Sequence, residues 1–331
     1  MKYRPEVDGL RALALIPVIL FHAGFEMFGG GFVGVDVFFV VSGYLITCII
    51  LNELQQGTFS LIKFYERRAR RILPALFFMM FITMPFAWFW LLPSDLQAFG
   101  QSLISVVTFS SNVFFWFESG YFDVSAELKP LLHTWTLAVE EQFYIFFPIF
   151  LIIVWRYFRK YVLAIFILIF LISLLLAQWA SVYATHPKII SGSYYLLPTR
   201  GWELLAGGAV ALYMKKKAHV TSMIVNQLMS VIGLALILYS VLFFDEKTPF
   251  PSFYTVMPVL GASLIILCCT AKTWVYWLLS SKVMVGIGLI SYSLYLWHQP
   301  IFAFAQHRLL GDVSCFFFRF TLFVVTFYCL S

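Results

Sequence analysis

Apolar runs of ~17 to 25 residues, the length that crosses ~30 Å of hydrocarbon, recur along this 331-residue chain and restrict its fold more than any other feature. The chain is 62% hydrophobic and 11% charged, against roughly 25% charged in a soluble domain, too little polar surface to wrap such runs in water. The reading is an all-α integral membrane protein, a bundle of about ten transmembrane helices. The expected spans are 10–27, 33–52, 72–92, 134–155, 161–181, 201–214, 224–244, 254–271, 283–305 and 314–330. No small-x-small cleavage site follows the first run, so it is expected to stay as the first helix. No repeat, linker or separate soluble domain is evident, and the whole of 1–331 reads as one transmembrane domain. Residues 53–71 read as a basic amphipathic helix lying at the interface before the third span.

One segment, 97–117, is apolar enough to insert but carries Gln101, Ser102, Ser105, Thr108, Ser110, Ser111 and Asn112. Basic residues gather on the cytoplasmic side of membrane proteins, and that rule arbitrates. If 97–117 does not cross, 16 of the 22 basic residues fall on one side, from Lys2, Arg4 and Arg11 through Arg67, Arg68, Arg70 and Arg71 to Lys272 and Lys282. Five fall on the other: Lys129, Lys188, Arg200, Lys247 and Arg308. If it crosses, the asymmetry collapses. The expectation is therefore an external, partly re-entrant excursion over 93–133, with both termini cytoplasmic. The formal charge of +6 is then an orienting charge, with no nucleic-acid partner. Cys48, Cys268, Cys269, Cys315 and Cys329 all lie in apolar runs without metal or redox spacing, so no metal is expected.

Ionisable residues within spans are costly and are functional candidates by default. In the first span Arg11 and His22 are eleven residues apart, 20° beyond three turns at 100° per residue. They share one face ~16 Å apart, the guanidinium at the inner end and the imidazole toward the outer. Asp36 lies about a turn inside the outer end of the second span, at His22's depth. A hairpin would let it orient the ring, although a carboxylate near a helix N-terminus is also favourable for structure alone. His133 opens the fourth span, and Glu140 and Glu141 follow, pointing ~100° apart so that at most one faces a given partner. Arg200 and Glu203 open the sixth span; Tyr295 and His298 lie in the ninth. All are expected in the outer half of the bilayer. At the inner face Arg68 and Arg71 are i, i+3 on one face, suited to phosphate, although such arginines also serve as anchors.

In chain order these residues sit in six blocks. They are Arg11 with His22; Gly34-Val35-Asp36-Val37-Phe38-Phe39-Val40-Val41-Ser42-Gly43-Tyr44; and Arg67-Arg68-Ala69-Arg70-Arg71-Ile72-Leu73-Pro74. Next come His133-Thr134-Trp135-Thr136-Leu137-Ala138-Val139-Glu140-Glu141-Gln142-Phe143-Tyr144, Thr199-Arg200-Gly201-Trp202-Glu203-Leu204, and Ser291-Tyr292-Ser293-Leu294-Tyr295-Leu296-Trp297-His298. Together they resemble the bacterial transmembrane acyltransferase family that O-acetylates surface carbohydrates. Thr136 stands where that family usually has Ser.

The resemblance implies an inner-membrane enzyme that takes acetyl from cytoplasmic acetyl-CoA and delivers it to sugar hydroxyls outside. O-antigen lipopolysaccharide is the first acceptor expected, with peptidoglycan or exopolysaccharide next. It implies His22, Asp36 and Glu141 as catalytic residues and Arg11, Arg68 and Arg71 as donor-binding ones. Glu140, His133, Arg200, Glu203, Tyr295 and His298 are left as a substrate-binding or structural polar cluster. Many members continue into an eleventh span and an external hydrolase-like domain, whereas this sequence stops at Ser331. It reads as a short member, a truncated product or half of a two-protein system. The implied partners are acetyl-CoA, a surface or lipid-linked glycan, membrane lipids and a separate periplasmic transferase domain or protein. Two readings of other classes stay open: a transporter of polysaccharide or a lipid-linked precursor, and a haem protein using His22 and His298.

Overall fold

The computed structural model describes residues 3–119, 126–216 and 222–309. All regular structure among them is helical. Thirteen α-helices follow in order: α1 Pro5–His22, α2 Gly34–Gln56, α3 Leu61–Trp90, α4 Pro93–Val107, α5 Ser111–Glu118, α6 Thr134–Tyr157 and α7 Val162–Gln178, then α8 Pro187–Tyr195, α9 Leu197–Lys216, α10 Met223–Phe243, α11 Val256–Cys268, α12 Trp274–Leu279 and α13 Lys282–Leu309. A π turn, Trp179–Tyr183, extends α7.

Five helical stretches are long and apolar enough to cross a bilayer: Gly31–Gln56, Leu61–Trp90, Thr134–Tyr157, Arg159–Tyr183 and Met223–Phe243. Their outward faces are apolar in the manner of lipid contact. On α7, Leu168, Leu171, Ile172 and Leu175 are exposed at i, i+3, i+4 and i+7; on α3, Trp88 and Phe89 are 71% and 78% exposed. Helices α1, α9 and α13, with 18, 20 and 28 residues, occupy three more of the expected spans. The charged residues within α1 and α9 include the site candidates Arg11, Arg200 and Glu203. At 13 residues, α11 rises only ~20 Å, short of a full hydrocarbon layer. The expected tenth span, 314–330, and the C-terminal side lie outside the described residues.

The ambiguous 97–117 run divides into α4 and α5 at Phe109, a non-glycine residue with φ 52°. At 15 residues α4 rises ~22 Å, also less than a crossing. The separate interfacial helix expected over 53–71 does not form. Instead α2 continues to Gln56 and stops at Gly57, whose φ of 66° closes the helix in the left-handed conformation. Ser60 then caps α3 by accepting from the Lys63 N–H, and the basic stretch becomes the first turns of that long helix.

α2 packs along α9, α1 lies against α2 and α13, and α10 pairs with α11. Two glycines permit the contacts that build the site. A Cβ on Gly207 of α9 would stand 1.9 Å from the Val40 carbonyl oxygen of α2. One on Gly288 of α13 would stand 1.9 Å from the Asp8 carbonyl oxygen of α1. Bare backbone at these positions lets α9 approach α2 and α13 approach α1.

Candidate functional site

Two chambers lie side by side, the smaller between α1, α2, α3, α6 and α13 and the larger between α1, α2, α6, α8 and α13. The smaller, about 120 Å³, is lined by Arg11 of α1, Arg68 and Arg71 of α3, Ser42 of α2, Glu140 and Tyr144 of α6, and Tyr292 of α13. The larger, about 690 Å³, is lined by His22, Phe21, Phe32, Glu127, Trp135, Tyr194, Tyr195 and Gln299, with Glu26, Asp245, Glu246 and Lys247. Arg11 and His22 thus open into different chambers, as the two ends of one helix face require.

The four arginines of α3 divide by face. Arg67 pairs with Glu53 at 2.7 Å and Arg70 with Glu66 at 2.7 Å, both toward the surface. Arg68 and Arg71 turn into the smaller chamber, and neither has a carboxylate at ion-pair distance among the described residues. Arg68 Nε is buried without a hydrogen bond. Arg11 is held only loosely, its Nη1 3.4 Å from Asp8 Oδ1. Three guanidinium groups converging on one small space, with Glu140 the one carboxylate among its lining residues, form a cradle for a polyanion. Glu140 itself accepts from the Ser42 hydroxyl at 2.9 Å and the Tyr144 hydroxyl at 3.2 Å.

At the other end His22 Nδ1 lies 2.8 Å from the Val18 carbonyl oxygen. A carbonyl only accepts, so Nδ1 carries the hydrogen and Nε2 keeps its lone pair. The ring packs edge to face on His298, centroids 5.2 Å apart. His298 Nδ1 in turn reaches the Tyr295 carbonyl oxygen at 2.5 Å, and its Nε2 is buried without a partner. His133, 4% exposed, packs on His298 at 5.3 Å and on Tyr295 at 5.5 Å, and neither of its ring nitrogens makes a hydrogen bond. The Tyr295 hydroxyl is fixed by the Thr136 hydroxyl at 2.8 Å and donates to the His133 carbonyl oxygen at 3.2 Å. His22 and His298 touch directly, leaving no room for a macrocycle between them.

The single outer cluster expected from sequence resolves into three groups. His22, His133, Tyr295 and His298 come together at one end. Glu140 belongs to the arginine chamber instead. Asp36 does not orient His22: it is fully buried and pairs with Arg200 Nη2 at 3.0 Å, while Arg200 Nη1 lies 3.2 Å from Glu203. The reason is helix phase. The face of α2 that carries Asp36 is the one packed on α9, so the nearest cation is Arg200, boxed by Phe39, Trp135, Tyr194 and Phe250 at 5.2 to 5.7 Å. Glu141, 8% exposed, lines neither chamber and has no hydrogen bond at Oε1, so it does not orient His22 either. Of the adjacent pair, Glu140 is the one that faces the cavity.

Sequence reasoning missed Ser42, Tyr144, Val35 and Glu127 as lining residues. Ser42 was discoverable, since it stands six residues after Asp36 on a different face of α2. Glu127 lies in a single 3-10 turn, Ala126–Leu128, too short to carry a periodic pattern. Outside the helices, Asp245 accepts from the Thr248 hydroxyl at 2.9 Å and from the Lys247 and Thr248 N–H groups, which hold its carboxyl below the usual range. It therefore stays ionised at the rim of the larger chamber. Among the described residues no group of three or more His, Cys, Asp or Glu is placed to hold a metal ion.

A family profile described as an acyltransferase domain matches residues 4–331. Among similar proteins, the peptidoglycan O-acetyltransferase OatA of Listeria monocytogenes serovar 1/2a is 34% identical over 309 residues, 91% of this chain and 49% of the relative. The Bacillus subtilis protein YrhL, provisionally named a peptidoglycan O-acetyltransferase, is 35% identical over 311 residues, again 91% and 49%. A Staphylococcus aureus protein provisionally named an O-acetyltransferase is 33% identical over 320 residues, 92% and 52%. The chain spans about half the length of these relatives. No solved structure matches it.

Proposed function

Because the chain belongs to this acyltransferase family, we propose that it moves an acetyl group from acetyl-CoA to a hydroxyl of a cell-envelope glycan. The carrying observation is the placement of three guanidinium groups in one chamber and a lone-pair-bearing imidazole in the next, on opposite ends of α1. A CoA thioester is anionic at its nucleotide end and neutral at its reactive end, and a pantetheine arm spans the intervening ~16 Å.

In this reading Arg11, Arg68 and Arg71 hold the phosphates. The acceptor hydroxyl enters the larger chamber and gives its proton to His22 Nε2 as its oxygen attacks the thioester carbonyl. The new C–O bond forms, the C–S bond breaks, and the departing thiolate takes the proton back from the imidazolium. The Val18 carbonyl fixes the ring so that Nε2 is the reacting nitrogen. The orienting role expected of Asp36 and Glu141 passes to this backbone oxygen and to the His298 ring.

The relatives' names point to peptidoglycan as acceptor class in preference to O-antigen. Aromatic faces at Phe21, Phe32, Trp135 and Tyr194 beside the carboxylates of Glu26 and Glu127 suit stacking and hydrogen bonding of a sugar. The arginine-rich end is assigned to the cytoplasm by the charge asymmetry, the histidine end to the outside, and the protein to the bacterial cytoplasmic membrane. Because the relatives are twice as long, final delivery to polymer can involve a further domain or protein.

The test compares two double variants. Arg68→Ala with Arg71→Ala should weaken acetyl-CoA binding by about tenfold or more, the scale of losing charge-assisted hydrogen bonds. Arg67→Ala with Arg70→Ala, which removes only surface ion pairs, should leave it within about threefold. Equal effects would remove the donor site from this chamber.

A further inference from the structure

The two chambers adjoin, and three of their lining residues face both: Val35 of α2, His133 at the start of α6, and Tyr295 of α13. The arginines open only on one side of this junction and His22 only on the other. For a thioester anchored by its phosphates, the way to His22 runs along the side that these three residues share. This inference rests on the acetyl-CoA reading above.

We propose that Val35, His133 and Tyr295 form an acyl-selecting constriction, at which His133 holds the thioester carbonyl and Val35 limits the length of the acyl chain admitted. His133 has the chemistry for this: it is 4% exposed, it lines both chambers, and neither ring nitrogen makes a well-formed hydrogen bond, the Leu296 backbone being its nearest polar neighbour. A buried imidazole without a partner is costly unless a ligand supplies one. Tyr295 cannot swing aside freely. Its hydroxyl is tied to Thr136 at 2.8 Å and to the His133 carbonyl at 3.2 Å, and its ring packs on His298 at 5.1 Å. Val35, 8% exposed and bearing only two methyl groups, is the adjustable wall. Its helix is itself fixed by the Asp36–Arg200 pair one residue along. An acetyl methyl is the smallest acyl tail, and each further methylene must displace a wall that has no slack on the His133–Tyr295 side. Hydrophobic pockets discriminate single methylenes by roughly 10- to 200-fold.

The experiment measures kcat/KM of the purified full chain in proteoliposomes with acetyl-, butyryl- and hexanoyl-CoA, using a soluble chitooligosaccharide as acceptor. The wild type should prefer acetyl over hexanoyl by at least a hundredfold. Val35→Ala should reduce that preference at least tenfold by speeding the longer donors, and Val35→Phe should exclude butyryl. His133→Gln, which keeps a donor N–H, should retain more acetyl transfer than His133→Leu, while both bind unacylated CoA as wild type does. A transfer-competent wild type whose acyl preference is unmoved by Val35→Ala and Val35→Phe, or His133→Leu transferring at the wild-type rate, would overturn the constriction and leave the parent reading standing. No transfer by the wild type from any acyl-CoA would overturn both.

Discussion

At the scale of single residues, His22 and Arg200 show how burial and partner decide role. His22 is half-buried, its Nε2 is kept free by a backbone bond at Nδ1, and it lines a chamber. His22→Gln keeps the size and polarity but removes the proton acceptor. It should cut acetyl transfer by about 10²- to 10⁴-fold with CoA binding retained, as single-turnover transfer and CoA titration would show. Arg200 was read from sequence alongside it, and composition could not separate them. Its two carboxylates, its four aromatic neighbours and its 1% exposure mark a fastening between α2 and α9. Arg200→Met should leave Asp36 and Glu203 buried together without a cation. The expected loss is about 3–5 kcal/mol of stability, visible as a lowered melting temperature in detergent. A variant that melts as wild type does but fails in transfer would return Arg200 to the reaction.

At the scale of elements, helix phase governed what could be read in advance. The Arg11-to-His22 stripe was legible because a single helix of known pitch fixes it, and Arg68 and Arg71 were legible as an i, i+3 pair for the same reason. Asp36 was misread because its partner depends on how α2 is rotated against α9, which no single-helix argument supplies. Residue spacing gave the ~100° divergence of Glu140 and Glu141 but not which of them faces the cavity. The interfacial helix over 53–71 dissolved because Gly57 and Ser60 supply a stop and a start that redistribute its residues between α2 and α3. The α2–α9 contact itself turns on Gly207. Gly207→Ala sets a methyl against Val40 and Tyr44 backbone atoms, and the helices must part. Overpacking of this kind costs about 1–3 kcal/mol, checked by thermal unfolding; an unchanged melting temperature would show that the interface yields freely.

At the scale of the whole molecule, the fold class follows from runs of apolar residues and needed no partner information. The proposed sidedness rests on the asymmetry of 16 basic residues against five. The division of the polar interior into a cationic chamber and an imidazole chamber came only with three-dimensional packing, since it takes side chains from six helices to enclose them. In the proposed reading these features form a passage for an acyl group along α1, from guanidinium to imidazole. Vectorial transfer tests it most directly. The chain is reconstituted in sealed vesicles sorted for one orientation, with acetyl-labelled acetyl-CoA supplied on the Arg68/Arg71 side and a soluble glycan acceptor enclosed on the His22 side. The account predicts ester-linked label on the enclosed glycan with the wild-type chain and its loss with His22→Ala. Label reaching the glycan equally well with His22→Ala, or only when donor and acceptor share the same side, would contradict it.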